Sequence, residues 1–526
     1  MLRAYKFKVE APLSEKNFKS MRCVFPKANV PSFKRVETKV KRLSGVNSTQ
    51  YDCCPSSCIC YTGPHKDKIE CPKCKTPRYE EDGSTPRSYY EYFPIIPRLR
   101  AMVASPRFAS KMQYRSKYEH NPDIVADVFD GSHYQRLKET RISVEDTTLY
   151  ETFFSDSRDI ALGLSTDGFG PFKRRNKTAW PMILINYNLP PTERFRTKNL
   201  IPVGVIPGPK KPSDMDSFSW PLVQELVQLE IGVKAFDGLA RTVFLLHAFL
   251  ILVFGDIPAI SMVMRMKGQN GICPCRMCKI KGIRLPNSKT YYVPLSRKKF
   301  RPAVTPQEYD PFNLPLRTHD EFMQQAEEVR CASTAAESER LATKYGIKGV
   351  PLLSTLRSLS FPSSFPYDFM HLIWANLIVN LILLWTGSFK DIGHTNEGYV
   401  LEKTVWEAIA EAGAAAGAYI PSAFGARVPN LVTEKKHLTC EAYGNWARYL
   451  APVLLRGRFL EDKYYKHFVR LIKLLNTCLE LEITQDEIDE IEEGFQSWVR
   501  DYEKFVIYFS CLMMRLTPTL QPLLSA

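Results

Sequence analysis

Apolar and polar positions change rhythm several times along the chain. A short apolar stretch at residues 160–164 and largely apolar ones at 180–189 and 200–206 predict three strands, the first soon followed by Asp167 and Gly168. Residues 217–236 carry Leu222, Leu226, Leu229 and Ile231 at helical spacing. Residues 243–254 are apolar apart from His247 and predict a buried strand that ends at Gly255 and Asp256. The order is strand, strand, strand, helix, strand, which opens several α/β folds, the RNase H-like sheet among them. Beyond residue 319 the pattern turns helical. Residues 320–345 are polar and helix-forming, 369–385 apolar and 404–419 rich in Ala. Thr484 and Glu487 form a capping box ahead of an apolar stripe at Ile488, Ile491, Phe495 and Trp498.

Length and composition narrow this picture. The 526 residues suit two to four domains, and 44% hydrophobic residues are enough for a sizeable core. Lys and Arg outnumber Asp and Glu by 71 to 56, a formal charge of +15 that points to a polyanionic partner such as DNA, or to solubility alone. The first residues lack the apolar core of a secretory signal, and the longest apolar run, residues 243–254, is too short to cross a bilayer. Residues 1–50 read as a basic N-terminal arm, either touching DNA or simply solvated.

The cysteines cluster. Six of the fourteen lie between Cys53 and Cys74, and three between Cys273 and Cys278. Cys54 and Cys58 are separated by twelve residues from Cys71 and Cys74, a spacing that can set four thiolates around structural Zn²⁺; Cys53, Cys60 and His65 are alternative ligands, and buried free cysteines the plainer reading. Asp167 and Asp256 sit at the ends of predicted strands. Such a pair offers hard oxygen ligands to Mg²⁺ or Mn²⁺. Each can equally be a turn former, and Asp256 ahead of Pro258 can be a helix N-cap. Cys275 and Cys278 need two further ligands to hold a metal. Asp368 and His371, on one helix face, are candidates, or a cap and an ordinary histidine. Glu441 lies early in a helix that Thr439 can cap, where a dipole or capping role is the simplest reading.

Taken together and in this order, CPSSC with CPKC, STDGF, GDIPA, CPCRMC, FPYDFMH and CEAYGNW make residues 51–455 resemble the transposases of CACTA (En/Spm-like) DNA transposons, particularly fungal ones. The resemblance implies an RNase H-like core, a mixed five-stranded sheet with helices, interrupted by a mostly helical insertion and preceded by a Cys-rich zinc module. It divides the chain into an arm (1–50), zinc module (51–80), helical linker region (81–150), first part of the core (151–280), insertion (281–430) and a C-terminal helical part carrying the third acid (431–526). It implies a DDE transposase that cleaves and joins DNA strands at transposon ends, with Asp167, Asp256 and Glu441 holding Mg²⁺ or Mn²⁺. Glu434 and Glu402 are substitutes for the third acid. It also implies a second Zn²⁺ site from Cys275, Cys278, Asp368 and His371. Phosphate contacts are expected from Lys173, Arg174, Arg175, Arg297, Lys298, Lys299 and Arg301. Nuclear localisation, a homo-oligomer, DNA ends and target as partners, and no membrane association follow by analogy. The chain is shorter at its C-terminal end than many family members and shows no recognisable DNA-reading module before the cysteines. A decayed or domesticated zinc-containing DNA-binding protein is therefore the alternative expectation.

Overall fold

A computed structural model describes residues 1–45, 47–144, 147–171, 177–284, 291–293, 295, 309–389 and 398–506. The strands that matter here are β1 (Thr49–Asp52), β2 (Tyr89–Tyr92), β3 (Ile160–Thr166), β4 (Ala179–Asn186), β5 (Ile201–Pro207), β6 (Val233–Asp237), β7 (Thr242–Leu246) and β8 (Ala248–Phe254). Six of them form a sheet in the order β1-β2-β5-β4-β3-β8. The three predicted core strands are all present, and the sheet is six-stranded where five were expected. The additional edge comes from β1 and β2, two short Tyr-containing strands, with Glu91 opposite Val205 in an antiparallel register. Four-residue segments of this kind leave little periodicity to read.

Two units make up the chain, one of residues 1–113, 168–184 and 195–248, the other of 114–167, 185–194 and 249–526. In the first, residues 1–44, read as a basic arm, contain helices α1 (Leu2–Glu10), α2 (Glu15–Val24) and α3 (Phe33–Ser44). Ser14 and Ser32 cap the second and third through Asn17 N and Arg35 N. The same unit holds the antiparallel pair β4–β5 and helix α4 (Met215–Ile231), which Asp214 caps. The helix stops five residues short of its predicted end because Gly232 takes φ +102°, a conformation open to glycine and strained for other residues. The chain then forms the hairpin β6–β7. The apolar run 243–254 is thus two strands rather than one. Val243 (70% exposed) and Leu245 (53%) face outward on β7, whereas β8 is buried almost throughout.

The second unit contributes β3 and β8 and nearly all of the later helices. Helix α5 (Ile257–Val263) follows β8 directly, and α6 (His319–Arg330) and α7 (Ala335–Tyr345) replace the single polar helix expected there. A π-helical segment, Met370–Ile378, runs into α8 (Val379–Trp385), followed by α9 (Lys403–Ala416), α10 (Cys440–Asn445), α11 (Asp462–Thr477) and α12 (Gln485–Val506). One continuous core joins Ile373, Leu377, Trp385, Trp406, Trp446, Phe468, Phe495 and Trp498. The capping box forms as read: Glu487 Oε2 accepts from Thr484 N at 2.9 Å, and Glu487 N donates to Thr484 Oγ1 at 3.3 Å. Among the described residues no helix is long and apolar enough to cross a membrane.

Two part-buried histidines in this unit give its stability a defined pH dependence. His467 stacks on Trp498, ring centroids 4.4 Å apart, with Nε2 3.0 Å from Trp498 O. His133 sits between Ser358 O and Ser364 Oγ, each 3.0 Å from Nε2. Burial pushes both imidazoles down from 6.5 to about 4. The unfolded chain protonates them as pH falls through 6.5, while the folded chain resists until about 4. Their stabilisation is therefore complete above that upper value and is lost on acidification across the window, with a limiting slope of about 2.7 kcal/mol per pH unit for the pair. Melts between pH 7.5 and 4.5 should show the loss, and His467→Phe, which keeps the stacking, should remove one histidine's share of the slope. An unchanged slope in that variant would contradict the assignment.

Candidate metal centre

Two aspartates come together at the ends of neighbouring strands. β3 ends at Thr166 and β8 at Phe254, so Asp167 follows the first directly and Asp256 follows the second after one glycine. That glycine is needed: a Cβ on Gly255 would lie 2.2 Å from Thr166 O. The close approach sets Asp256 beside Asp167. Asp256 also acts as the helix cap its sequence allowed, Oδ1 accepting from Ala259 N at 2.6 Å with Pro258 in the first turn of α5. Burial raises its carboxyl above the usual range. The Ala259 N–H and His371 pull it down, while the charges of Asp167 and Asp368 push it up.

Asp368 follows a segment that runs along β8. Ser358 Oγ donates to Leu250 O at 2.7 Å, and Val253 N donates to Ser364 O at 2.8 Å, so residues 358–364 run beside β8. Four residues later, Asp368 Oδ1 accepts from His371 N at 3.1 Å, and Oδ2 lies 2.9 Å from His371 Nδ1. Burial disfavours a charged His371. The Asp368 hydrogen bond and the fields of Asp368, Asp167 and Asp256 outweigh it, and the imidazole pKa rises. Arg276 is buried nearby, its guanidinium 3.7 Å from the Tyr367 ring centroid and its Nη2 donating to Pro366 O at 2.6 Å. Asp368 and Asp256 are among the charges that keep it protonated against burial.

Glu441, the expected third acid, has its own local partners. It is exposed in the first turn of α10, which Thr439 caps through Ala442 N at 3.2 Å, and its Oε1 accepts from Ala426 N at 3.4 Å. Of its substitutes, Glu434 accepts from Asn430 N at 2.8 Å, and Glu402 stands at the N-terminus of α9 without a side-chain capping bond. Cys275 and Cys278 form a compact buried turn in which Cys275 Sγ accepts from Met277 N (3.3 Å) and Cys278 N (3.2 Å) and lies 3.5 Å from the Tyr367 hydroxyl. Among the described residues, these cysteines do not share a ligand-distance cluster with Asp368 and His371. Asp368 and His371 do not form such a cluster with Asp167 and Asp256 either. The basic residues expected at DNA, Lys173, Arg174, Arg175, Arg297, Lys298, Lys299 and Arg301, lie outside the described residues.

The N-terminal cysteines do converge. The ligand atoms of Cys54, Cys58, Cys71 and Cys74 all lie within 4.8 Å of one another, the right chemistry and spacing for a closed zinc site. Each pair sits on a tight turn. Ser57 N donates to Cys54 O at 2.8 Å and Lys75 N to Cys71 O at 2.9 Å, and Ser57 and Lys75 both take left-handed φ near 60°. Burial pushes Cys54 up. At Cys74 a smaller burial effect is outweighed by Thr76 and its backbone N–H, which hold the thiol down at about 6. The alternative ligands have other partners: Cys53 and Cys60 face each other across an antiparallel bridge, and His65 Nε2 pairs with Asp214 Oδ2 at 2.8 Å.

The firm anchoring of this module leaves almost no mark in the sequence. Asp214 N donates to Cys58 O (3.0 Å), Cys60 N to Ser217 Oγ (2.9 Å), Ser57 Oγ to Pro207 O (2.6 Å) and Lys73 Nζ to Ser213 O (3.1 Å). The cysteine turns thus grip the N-terminus of α4 and the end of β5. Asp214 and Ser217, a cap and its partner, are the only local hint.

Compared with known proteins, residues 142–333 match the model of a family described as "Transposase family tnp2". This stretch includes Asp167, Asp256, Cys275 and Cys278 and stops before Asp368 and Glu441. No curated protein matches the chain.

Proposed function

We propose that this chain is a DNA transposase of the CACTA type, resembling the fungal enzymes, that holds Mg²⁺ or Mn²⁺ at Asp167 and Asp256 to cleave and rejoin strands at transposon ends. One observation carries the reading: the two acids lie side by side at adjoining strand ends, inside the stretch that matches a transposase family. The strand order β5-β4-β3-β8, with α4 crossing before β8, supports an RNase H-like core. Bound divalent metal would supply a lowered water pKa and charge stabilisation at the transferring phosphate. The chain's own share is to fix two carboxylates on rigid strand ends, with Gly255 and the Ala259 cap holding Asp256 in place. Zn²⁺ in the Cys54, Cys58, Cys71 and Cys74 site serves structure. Nuclear residence and a homo-oligomer that pairs two DNA ends belong to the same proposal.

The test is nicking of a supercoiled plasmid carrying the DNA that flanks this reading frame. Mn²⁺ or Mg²⁺ should give nicks with 3′-hydroxyl ends, and EDTA should suppress them. A folded protein that binds DNA in a salt-sensitive way yet never cuts, with either metal, supports the second reading, a decayed zinc-containing DNA-binding protein. The contact of Glu441 with Ala426 is the observation that favours that reading.

A further inference from the structure

Nine of the chain's fifteen surplus positive charges lie in residues 1–44, which hold twelve Lys or Arg and three Glu. We propose that α3 is a docking helix for duplex DNA, its exposed basic face entering the major groove. This rests on the proposed function for its choice of partner and locates a contact to that DNA. It does not depend on metal or on cleavage.

The two faces of α3 follow from its sequence. Phe33, Val36 and Val40 recur at helical spacing along one side. Val36 is fully buried, and the Phe33 ring meets the fully buried Phe18 of α2 edge to face, centroids 5.8 Å apart. Lys8 Nζ of α1 lies over the same Phe33 ring, 4.9 Å from its centroid. The helix is therefore packed by its neighbours and is not a loose arm. Lys34, Arg35, Thr38, Lys41 and Arg42 recur along the opposite side, and all five are exposed. The one acid of the helix, Glu37, stands at the border and pairs with Lys41 Nζ at 3.8 Å. Among the described residues no carboxylate pairs with Lys34, Arg35 or Arg42. A face that serves solubility alone intersperses both signs, and this one is of a single sign.

Charge complementarity chooses the partner. Twelve residues make a helix about 18 Å long, and the major groove of DNA, about 12 Å wide, admits a helix. In helices that read DNA, the first turns reach base edges. Here those turns carry Lys34, Arg35 and Thr38, of which the first two can donate to guanine O6 and N7. Lys41 and Arg42, further along the same face, suit the flanking phosphates. The face bears no aromatic ring on which unpaired bases could stack, which disfavours a single strand. The apolar side of α3 is already packed against Phe18, which disfavours a lipid surface.

The experiment is photocrosslinking from the major groove. The full-length, zinc-loaded chain is bound, without Mg²⁺ or Mn²⁺, to duplexes of the DNA that flanks this reading frame. Their thymines are replaced by 5-iododeoxyuridine, whose iodine sits where the thymine methyl faces the major groove. Crosslinked peptides are mapped by mass spectrometry, and crosslinks are expected within residues 33–42. Lys34→Gln, Arg35→Gln, Lys41→Gln and Arg42→Gln together should weaken duplex binding at least tenfold. They should also flatten the dependence of log affinity on log salt by about 2 to 4. The melting temperature should stay level, since all four side chains are exposed and Gln is a good helix former. Crosslinks confined to other segments would overturn the docking of α3 and leave the transposase reading standing. Crosslinks in α3 from a chain that never nicks would uphold it and leave only the DNA-binding reading. No binding to duplex at low salt, or binding to phosphatidylserine vesicles alone, would overturn both. The crosslink map of the unaltered chain already decides between these outcomes.

Discussion

On the proposed function, Asp167→Asn should abolish metal-dependent strand cleavage, by about a thousandfold or more, while the protein should still fold and bind DNA. The substitution keeps the side chain's shape at the end of β3 and removes one of the two charges proposed to draw a divalent cation. The transition-state stabilisation lost with a catalytic metal is several kcal/mol, roughly the stated factor in rate. The same change should not weaken the metal-free fold. Asp167 raises the pKa of the half-buried Asp256 carboxyl, so it penalises the ionised pair. Neutralising it relieves that repulsion, and the melting temperature in EDTA should stay level or rise. Loss of activity together with loss of fold would mean that Asp167 is a structural turn residue. Activity and stability measured side by side separate the two roles, as expected for a site that stores repulsion for function.

With zinc in the four-cysteine site, stripping it, or Cys71→Ser, should cost several kcal/mol of stability and unfasten more than the module itself. Among the described residues, the buried cluster beneath the cysteine turns is Cys54, Cys58, Ile59, Tyr61 and Cys71, too small to hold a fold by burial alone. Apparent binding energies of structural zinc sites, about 10–16 kcal/mol, greatly exceed what such a cluster supplies. The module in turn holds the first turn of α4 through Cys58 O, Cys60 N and His65. Chelation should therefore lower the melting temperature of the first unit by on the order of 10 °C. Hydrogen exchange should speed up in residues 53–77 and also in 213–217. Faster exchange confined to the cysteine turns would show that the module is an independent finger. Unchanged exchange everywhere would remove zinc from the structure.

How much of this could be read from the chain alone depended on the range of the interactions. Strands β3, β4 and β5 announced themselves because buried strands need apolar runs, and residues 160–164 are one. Local chemistry was equally legible: Thr484 and Glu487 cap as their spacing says, and the Asp256 cap forms beside Pro258. Residues 243–254 misled because a half-exposed hairpin strand and a buried one were both apolar. His247, bonded through Nδ1 to Glu230 O where the two strands meet, was the one break in the pattern. Gly232 likewise marked the true end of α4. What could not be read was the placing of the distant acids. Asp368 and Glu441 each stand at a helix start and each make a cap-like contact. The course of residues 358–364 along β8 is a long-range pairing that leaves no periodic trace in sequence.

The central claim is that Asp167 and Asp256 share a divalent cation. Crystals of the zinc-loaded protein soaked in Mn²⁺ and measured at the manganese absorption edge test it directly. An anomalous peak within coordinating distance of both carboxylates is the predicted result. Ordered Asp167 and Asp256 side chains with no manganese between them, in a protein that still nicks DNA, would contradict it.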